Sequence, residues 1–292
     1  MTGGTSRIEI SRRSLLASAL LAPSKTVQVG AHLWVYAAKQ PGYDATPVLD
    51  QLFAELGAAK LDGIELMHLV LLHDGAVDRV KELSKKYRLP VIGTSWSANL
   101  WDRSQHAQAL PQAKLVIGRI SQVGGRTLGV SVGDARRKKT EAEFDAQVEA
   151  LREMMKICAD HGVVPNLHNH VYEVRDGEYD LNGTLARIPD IKLGPDLGWL
   201  FRAKVDPVDF IRRRGKQMVF AHLRNEKADG KWPETLAEGV IDYAAIGKLL
   251  HESGFPGDLV IELAHERDFT PTRSYGESVK LSRDYVRRVM RY

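Results

Sequence analysis

Short apolar runs alternate with longer amphipathic segments along almost the whole chain. The runs fall at 27–33, 63–67, 90–95, 126–132, 163–170, 191–196, 218–223 and 258–263. Their length and their Val, Ile and Leu content predict eight strands. Between and after them, 46–60, 75–87, 105–122, 140–161, 182–188, 207–215, 243–253 and 275–290 carry the helical period. In 46–60 the apolar residues Leu49, Leu52, Phe53 and Leu56 share one helical face, Thr46 is placed to cap, and Pro47 stands at the first position, where its missing N–H is harmless. Pro111 is expected to kink 105–122 or split off its first turn, and Gly162 to close the long helix before it.

Eight strand-then-helix units without a linker or low-complexity break predict a parallel sheet. Eight such units over about 250 residues are the size of a closed barrel, so residues 25–292 are read as a single (β/α)8 TIM barrel. An open doubly wound sheet would want a glycine-rich phosphate turn after the first strand, and Gly30-Ala31-His32-Leu33-Trp34 is no such turn.

In such a barrel chemistry gathers at the C-terminal strand ends. Those ends carry His32, Glu65, Ser95, His168 with His170, Asp196, His222 and Glu262. The fifth run ends in His168-Asn169-His170, and residues two apart in a strand point to one face. Strands five to eight thus supply His, Asp, His and Glu in turn. Imidazole with carboxylate suits one divalent ion, Mn, Zn, Co or Fe(II) better than Mg or Ca. Singly, a strand-end His is more often a hydrogen-bonded support and a strand-end Asp a cap. Four in consecutive strands outweigh that reading. Trp34, Trp96, Trp101 and Trp199 lie just past strand ends, where flat rings can stack on a substrate or simply anchor a loop.

Composition changes the picture little. Lys plus Arg number 41 against 37 Asp plus Glu, a net charge of +4. No concentrated basic stripe of the nucleic-acid-binding kind is present, and the runs 136–139 and 212–214 read as solvated surface charge. Cys158 is the single cysteine, so no intrachain disulfide forms, and its helical spacing with Leu151, Met154 and Met155 assigns it an apolar role. No apolar run approaches the ~18 residues of a membrane span. At the N-terminus, Ser11-Arg12-Arg13-Ser14-Leu15-Leu16 before an Ala/Leu stretch reads as a twin-arginine export signal over 1–24, placing the protein in the periplasm, with a cytoplasmic location the alternative. Self-association into a homo-oligomer is left open.

The chain from about Val27 onward resembles the xylose-isomerase-like barrel superfamily of sugar isomerases, epimerases, inosose dehydratases and endonuclease IV-type repair enzymes. The resemblance rests on Leu167-His168-Asn169-His170 with Glu173, Pro195-Asp196-Leu197-Gly198-Trp199, Ala221-His222-Leu223-Arg224 and Val260-Ile261-Glu262. It implies Asp196, His222 and Glu262 as metal ligands, with His168 fourth where many relatives have glutamate, and His170 the alternative fourth. It also implies a small carbohydrate substrate, while the scattered charge argues against a nucleic-acid partner and the lack of a long apolar run against insertion in a membrane. The expected chemistry is proton abstraction next to a carbonyl, as in an isomerase or epimerase. Elimination from a keto-sugar, keto-glycoside or inosose is the alternative on this scaffold. An abasic-site nuclease would need more His and Asp ligands and a phosphate-tracking basic face; a barrel that only binds is the remaining reading. The base is whichever of His170 and Glu262 faces the substrate. Glu173, Glu65 and Arg224 are candidate hydroxyl or oxyanion contacts, joined at the mouth by His32, Trp34 and Trp199. Two departures stand out: a histidine replaces one glutamate of the two-glutamate epimerases, and Arg224-Asn225 replaces the Lys-Asp that follows the seventh-strand histidine in many relatives.

Overall fold

The computed structural model describes residues 27–292; the expected signal at 1–24 lies outside them. Eight parallel strands, β1 (Val29–His32), β2 (Gly63–Met67), β3 (Val91–Ser97), β4 (Thr127–Ser131), β5 (Val164–Leu167), β6 (Lys192–Leu193), β7 (Phe220–Leu223) and β8 (Asp258–Ile261), form one sheet. Its order is β6-β5-β4-β3-β2-β1-β8-β7. The open side is closed by two parallel bridges, Leu193↔Met218 and Asp196↔His222. The fold is the expected (β/α)8 barrel, because strands covered on both faces must be apolar throughout.

The helices are α1 (Trp34–Ala37), α2 (Leu49–Ala58), α3 (Ala76–Tyr87), α4 (His106–Gln122), α5 (Glu141–Asp160), α6 (Val171–Leu185), α7 (Leu197–Arg202), α8 (Pro207–Arg214), α9 (Tyr243–Glu252) and α10 (Tyr275–Tyr285). Helix α2 buries Leu49, Leu52, Phe53 and Leu56, the face its spacing set out. Helix α5 starts at a capping box of Thr140 and Glu143, and Gly162 just past its end takes the left-handed φ of 66°. None of the described helices is long and apolar enough to cross a membrane.

Several local expectations are corrected. Helix α4 runs unbroken through Pro111. The bond that proline removes would end on the carbonyl of Ala107, and both residues are exposed, so little is lost by leaving that carbonyl to solvent. Thr46 does not cap: its N–H and hydroxyl both donate to Asp44 Oδ1, at 2.9 and 2.6 Å, and a 3-10 turn at Thr46–Val48 precedes α2. Helix α6 begins at Val171 rather than near 182, but it is interrupted at Arg175, Asp176, Gly177 and Glu178, the last three with φ of 55°, 73° and 61°. That interruption hides its first turn from any periodic pattern. Left-handed Asp176 and Glu178 each cost of order 1 kcal/mol or more, and the bidentate pair of the buried Glu178 with Arg213 of α8 holds the bend. The chain beyond α10 turns through one π-helical segment, Val286–Met290.

Behind the strand ends, α5 and α6 enclose a polar network. Buried Lys139 pairs with Asp180 and donates to Gln147 Oε1 at 2.7 Å; Gln147 Nε2 donates to Asp180 Oδ1 at 3.2 Å and Thr184 Oγ1 at 2.7 Å. Removing one partner strands the other charge in a low-dielectric interior. Lys139→Met should therefore lower unfolding free energy by about 3–5 kcal/mol, and adding Asp180→Leu should recover part of that loss, both read from urea unfolding curves.

Candidate functional site

Each strand delivers one or two polar side chains to the same end of the barrel. His32 closes β1 and lies in register with Glu65 of β2. Ser95 and Ser131 come from the ends of β3 and β4. His168 and His170 follow Leu167, the last residue of β5, and Glu262 follows Ile261 of β8. Asp196 sits two residues beyond Gly194, where the bridge to His222 draws it against β7. Gly194 is required on the way: a Cβ there would meet Asn166 Oδ1 at 1.8 Å.

The buried centre is His222. Its Nε2 is bonded to the Glu65 carboxylate, while its Nδ1 lies 3.0 Å from His168 Nδ1 and 3.2 Å from Glu262 Oε2. Ligand-competent atoms of His168, Asp196 and His222 all lie within 4.8 Å of one another. Glu262 borders this group. Its Oε1 pairs with Arg224 Nη2 and lies 3.5 Å from His32 Nδ1, while its buried Oε2 accepts no hydrogen bond. Arg224 Nε donates to Asp196 Oδ2 at 3.1 Å, and Asp196 Oδ1 accepts the Trp199 backbone N–H at 2.9 Å. Asn169 clamps the backbone of Asp196 from both sides, at 3.2 and 3.3 Å.

The two histidines after β5 part company. His168 is buried, whereas the His170 side chain keeps 35% of its exposure. Their rings meet edge-on at 5.0 Å. His170 Nδ1 lies 3.0 Å from both Ser131 Oγ and Tyr172 OH, and its ring stacks on Tyr172. Its backbone N–H donates to Glu173 Oε2 at 2.7 Å, so Glu173 fixes the backbone of His170, and Glu173 Oε1 is buried without a partner. His32, Trp34, Ser95, His170, His222 and Glu262 all line one cavity at the barrel mouth. Trp34 stacks on Tyr43; Trp199 approaches His170 at 5.8 Å and meets Trp232 edge-on. Glu65 lies beneath His222, 1% exposed, as a support for that ring. Arg224 is turned inward onto Asp196 and Glu262.

The same ring type is driven to opposite states. Burial pulls His168 well below the ordinary imidazole range and brings His170 down to about 4. Burial also acts on His222, but the Glu65 and Glu262 charges outweigh it and lift that ring to about 9. Burial would raise Glu262, yet the charges of Arg224, His32 and His222 hold it well below the carboxylate range. Burial pushes Glu173 up to about 8. Ser131, Tyr172, Asn169 and Trp232 have no assigned role in the sequence pattern. Ser131 was detectable from its position at a strand end. Tyr172 lies in a helical turn that the interruption conceals, and Trp232 in a long loop without a period.

A sequence profile described as "Xylose isomerase-like TIM barrel" matches residues 52–285. The chain belongs to that family. Among solved structures, an L-ribulose 3-epimerase is 18% identical with a TM-score of 0.73, covering 91% of this chain and 95% of its own. A sugar phosphate isomerase/epimerase from Parabacteroides distasonis is 16% identical, TM-score 0.69, covering 92% and 97%. A 3-keto-D-glucoside 4-epimerase from E. coli is 15% identical, TM-score 0.68, covering 88% and 99%. At these identities the likeness is one of fold. No curated protein sequence matches the chain.

Two measurements check this geometry. A carboxylate behind an imidazole sets its orientation and basicity, so, were His222 to hold a divalent ion, Glu65→Gln should weaken its binding about 10–100-fold in a metal titration. Glu173 has a folded value of about 8 against an ordinary 4.5. The folded state therefore holds this proton more tightly than the unfolded chain, and stability from Glu173 is present below the unfolded value and lost as pH rises towards about 8. Denaturant unfolding at pH 5 and pH 8.5 should show a smaller fall for Glu173→Gln than for the unaltered protein.

Proposed function

We propose that the protein is a divalent-metal-dependent enzyme of the sugar isomerase and epimerase kind, acting by proton abstraction next to a carbonyl. The observation that carries this is the convergence of His168 Nδ1, His222 Nδ1 and Glu262 Oε2. Ligand-competent atoms of His168, Asp196 and His222 lie within 4.8 Å of one another, and with Glu65 on its far nitrogen His222 turns Nδ1 to within 3.0 Å of His168 Nδ1 and 3.2 Å of Glu262 Oε2. Donors around a first-row ion at about 2.0–2.2 Å lie roughly that far apart. The raised His222 fits too: a cation would take the place of its Nδ1 proton.

His168, Asp196 and His222 would hold the ion, with Glu262 Oε2 at its edge. A bound divalent ion supplies polarisation of a sugar carbonyl and the adjacent hydroxyl, acidifying the neighbouring C–H. His170, neutral at pH 7, takes that proton at Nε2, since Nδ1 is engaged by Ser131 and Tyr172. Glu262, which lines the same cavity and is ionised, is the second group that can take or return a proton, and epimerisation needs two such groups. Trp34 offers a flat wall for a sugar ring. The epimerase names of the similar structures support the class of substrate.

The test is incubation of a ketose and of a 3-keto-glycoside with the metal-loaded protein in D2O, followed by NMR. Deuterium at an intact sugar carbon is the expected result, and His222→Ala should abolish it along with the bound ion. An unsaturated product would assign the protein to the lyases instead. No exchange with either substrate would remove the carbon-acid reading.

A further inference from the structure

Arg224 stands two residues after the central histidine, where the structure gives it an unusual place. It is buried, with Nε donating to Asp196 Oδ2 at 3.1 Å and Nη2 paired with Glu262 Oε1. The guanidinium thus bridges two carboxylates of the ligand group. It is gripped from every side. Its charge centre lies 5.0 Å from the ring centres of both Trp199 and Trp232, and its carbonyl accepts the Tyr243 hydroxyl at 2.7 Å. Gly198 makes room for it, since a Cβ there would lie 2.8 Å from Arg224 Cβ and 3.0 Å from its carbonyl oxygen. An arginine so held is a fixed part of the site.

A fixed cation among metal ligands acts on the ion directly. Glu65, Asp196 and Glu262 bring three negative charges around the imidazole pair, and Arg224 cancels one, leaving two for a divalent ion to neutralise. Like charges a few ångströms apart repel strongly where water is excluded. The same pairing keeps Glu262 Oε1 on the guanidinium, so only Oε2 turns towards the imidazoles. Two effects compete if Arg224 is removed: the carboxylates lose a partner that aligns them, and the ion loses a neighbouring positive charge. Asn169 and the Trp199 N–H still hold Asp196, and His32 Nδ1 still lies 3.5 Å from Glu262 Oε1, so loss of the charge is expected to outweigh loss of alignment.

We propose that Arg224, through its fixed positive charge, sets the affinity of the site for its divalent ion, holding it loosely enough to exchange. This rests on the metal reading above, and the test separates the two. The full chain, stripped with a chelator, is titrated with Co2+ and with Mn2+ against a chromophoric competitor. The unaltered protein, Arg224→Met, Arg224→Gln and Arg224→Lys are compared, and thermal unfolding establishes which variants fold. The charge-removing variants should bind Co2+ at least tenfold tighter, and Arg224→Lys within about threefold of the unaltered protein. Either charge-removing variant suffices if the other fails to fold. Equal or weaker binding in a folded Met or Gln variant, with the unaltered protein still binding, overturns the role of Arg224 alone. Absence of binding in every form overturns the metal reading and this inference together.

Discussion

The bond between the Glu65 carboxylate and His222 Nε2 determines what the rest of the site can be. It pins a fully buried ring in one orientation and commits one nitrogen, so the other must face His168 and Glu262. Every neighbouring arrangement follows from that. Arg224 is needed because Glu262 and Asp196 are too close together and too dry to stand unpaired. Asn169 is needed because Asp196 must be held at the bridge to His222. A carboxylate on β2, across the barrel, thus fixes the geometry of residues on β5 to β8.

The site also separates its histidines by environment alone. Four imidazoles run in a chain, His32, His222, His168 and His170, with neighbouring ring centres 4.8–5.3 Å apart, and three are depressed by burial while the one flanked by two carboxylates is raised. Charge is therefore concentrated at the bottom of the cavity, and the mouth, where His170 keeps its exposure, is lined by a neutral ring.

The fold was legible because its rules are local. Strands covered on both faces read as unbroken apolar runs, and α2 or α5 show one buried stripe. Elements set by tertiary contacts were not legible: α1 and α7 are too short to show a period, and α6 is broken by left-handed residues that Arg213 holds from another helix. At the site, strand-end position alone picked out the residues that the barrel gathers. Their directions were hidden. Whether Glu65 faces a substrate or props a histidine, and whether Arg224 points outward or inward, depends on which partner lies across the barrel, and no spacing along the chain encodes that. Pro111 shows the converse, since exposure decided how little its missing hydrogen bond matters.

The barrel's weakest join lies between β6 and β7. Strand β6 is only two residues long, and it meets β7 through isolated bridges rather than a continuous ladder. One of those bridges is Asp196↔His222. The seam that closes the cylinder and the proposed metal site are therefore the same contact. Elsewhere in the barrel backbone ladders hold adjacent strands; here side chains from β5, β6, β7 and β8 share that task. Anything that binds between Asp196 and His222 acts as a rivet across the gap, so closing the cylinder and filling the site draw on one free energy. Opening that seam, even briefly, would part Asp196 from His222 without unfolding the other joins of the barrel.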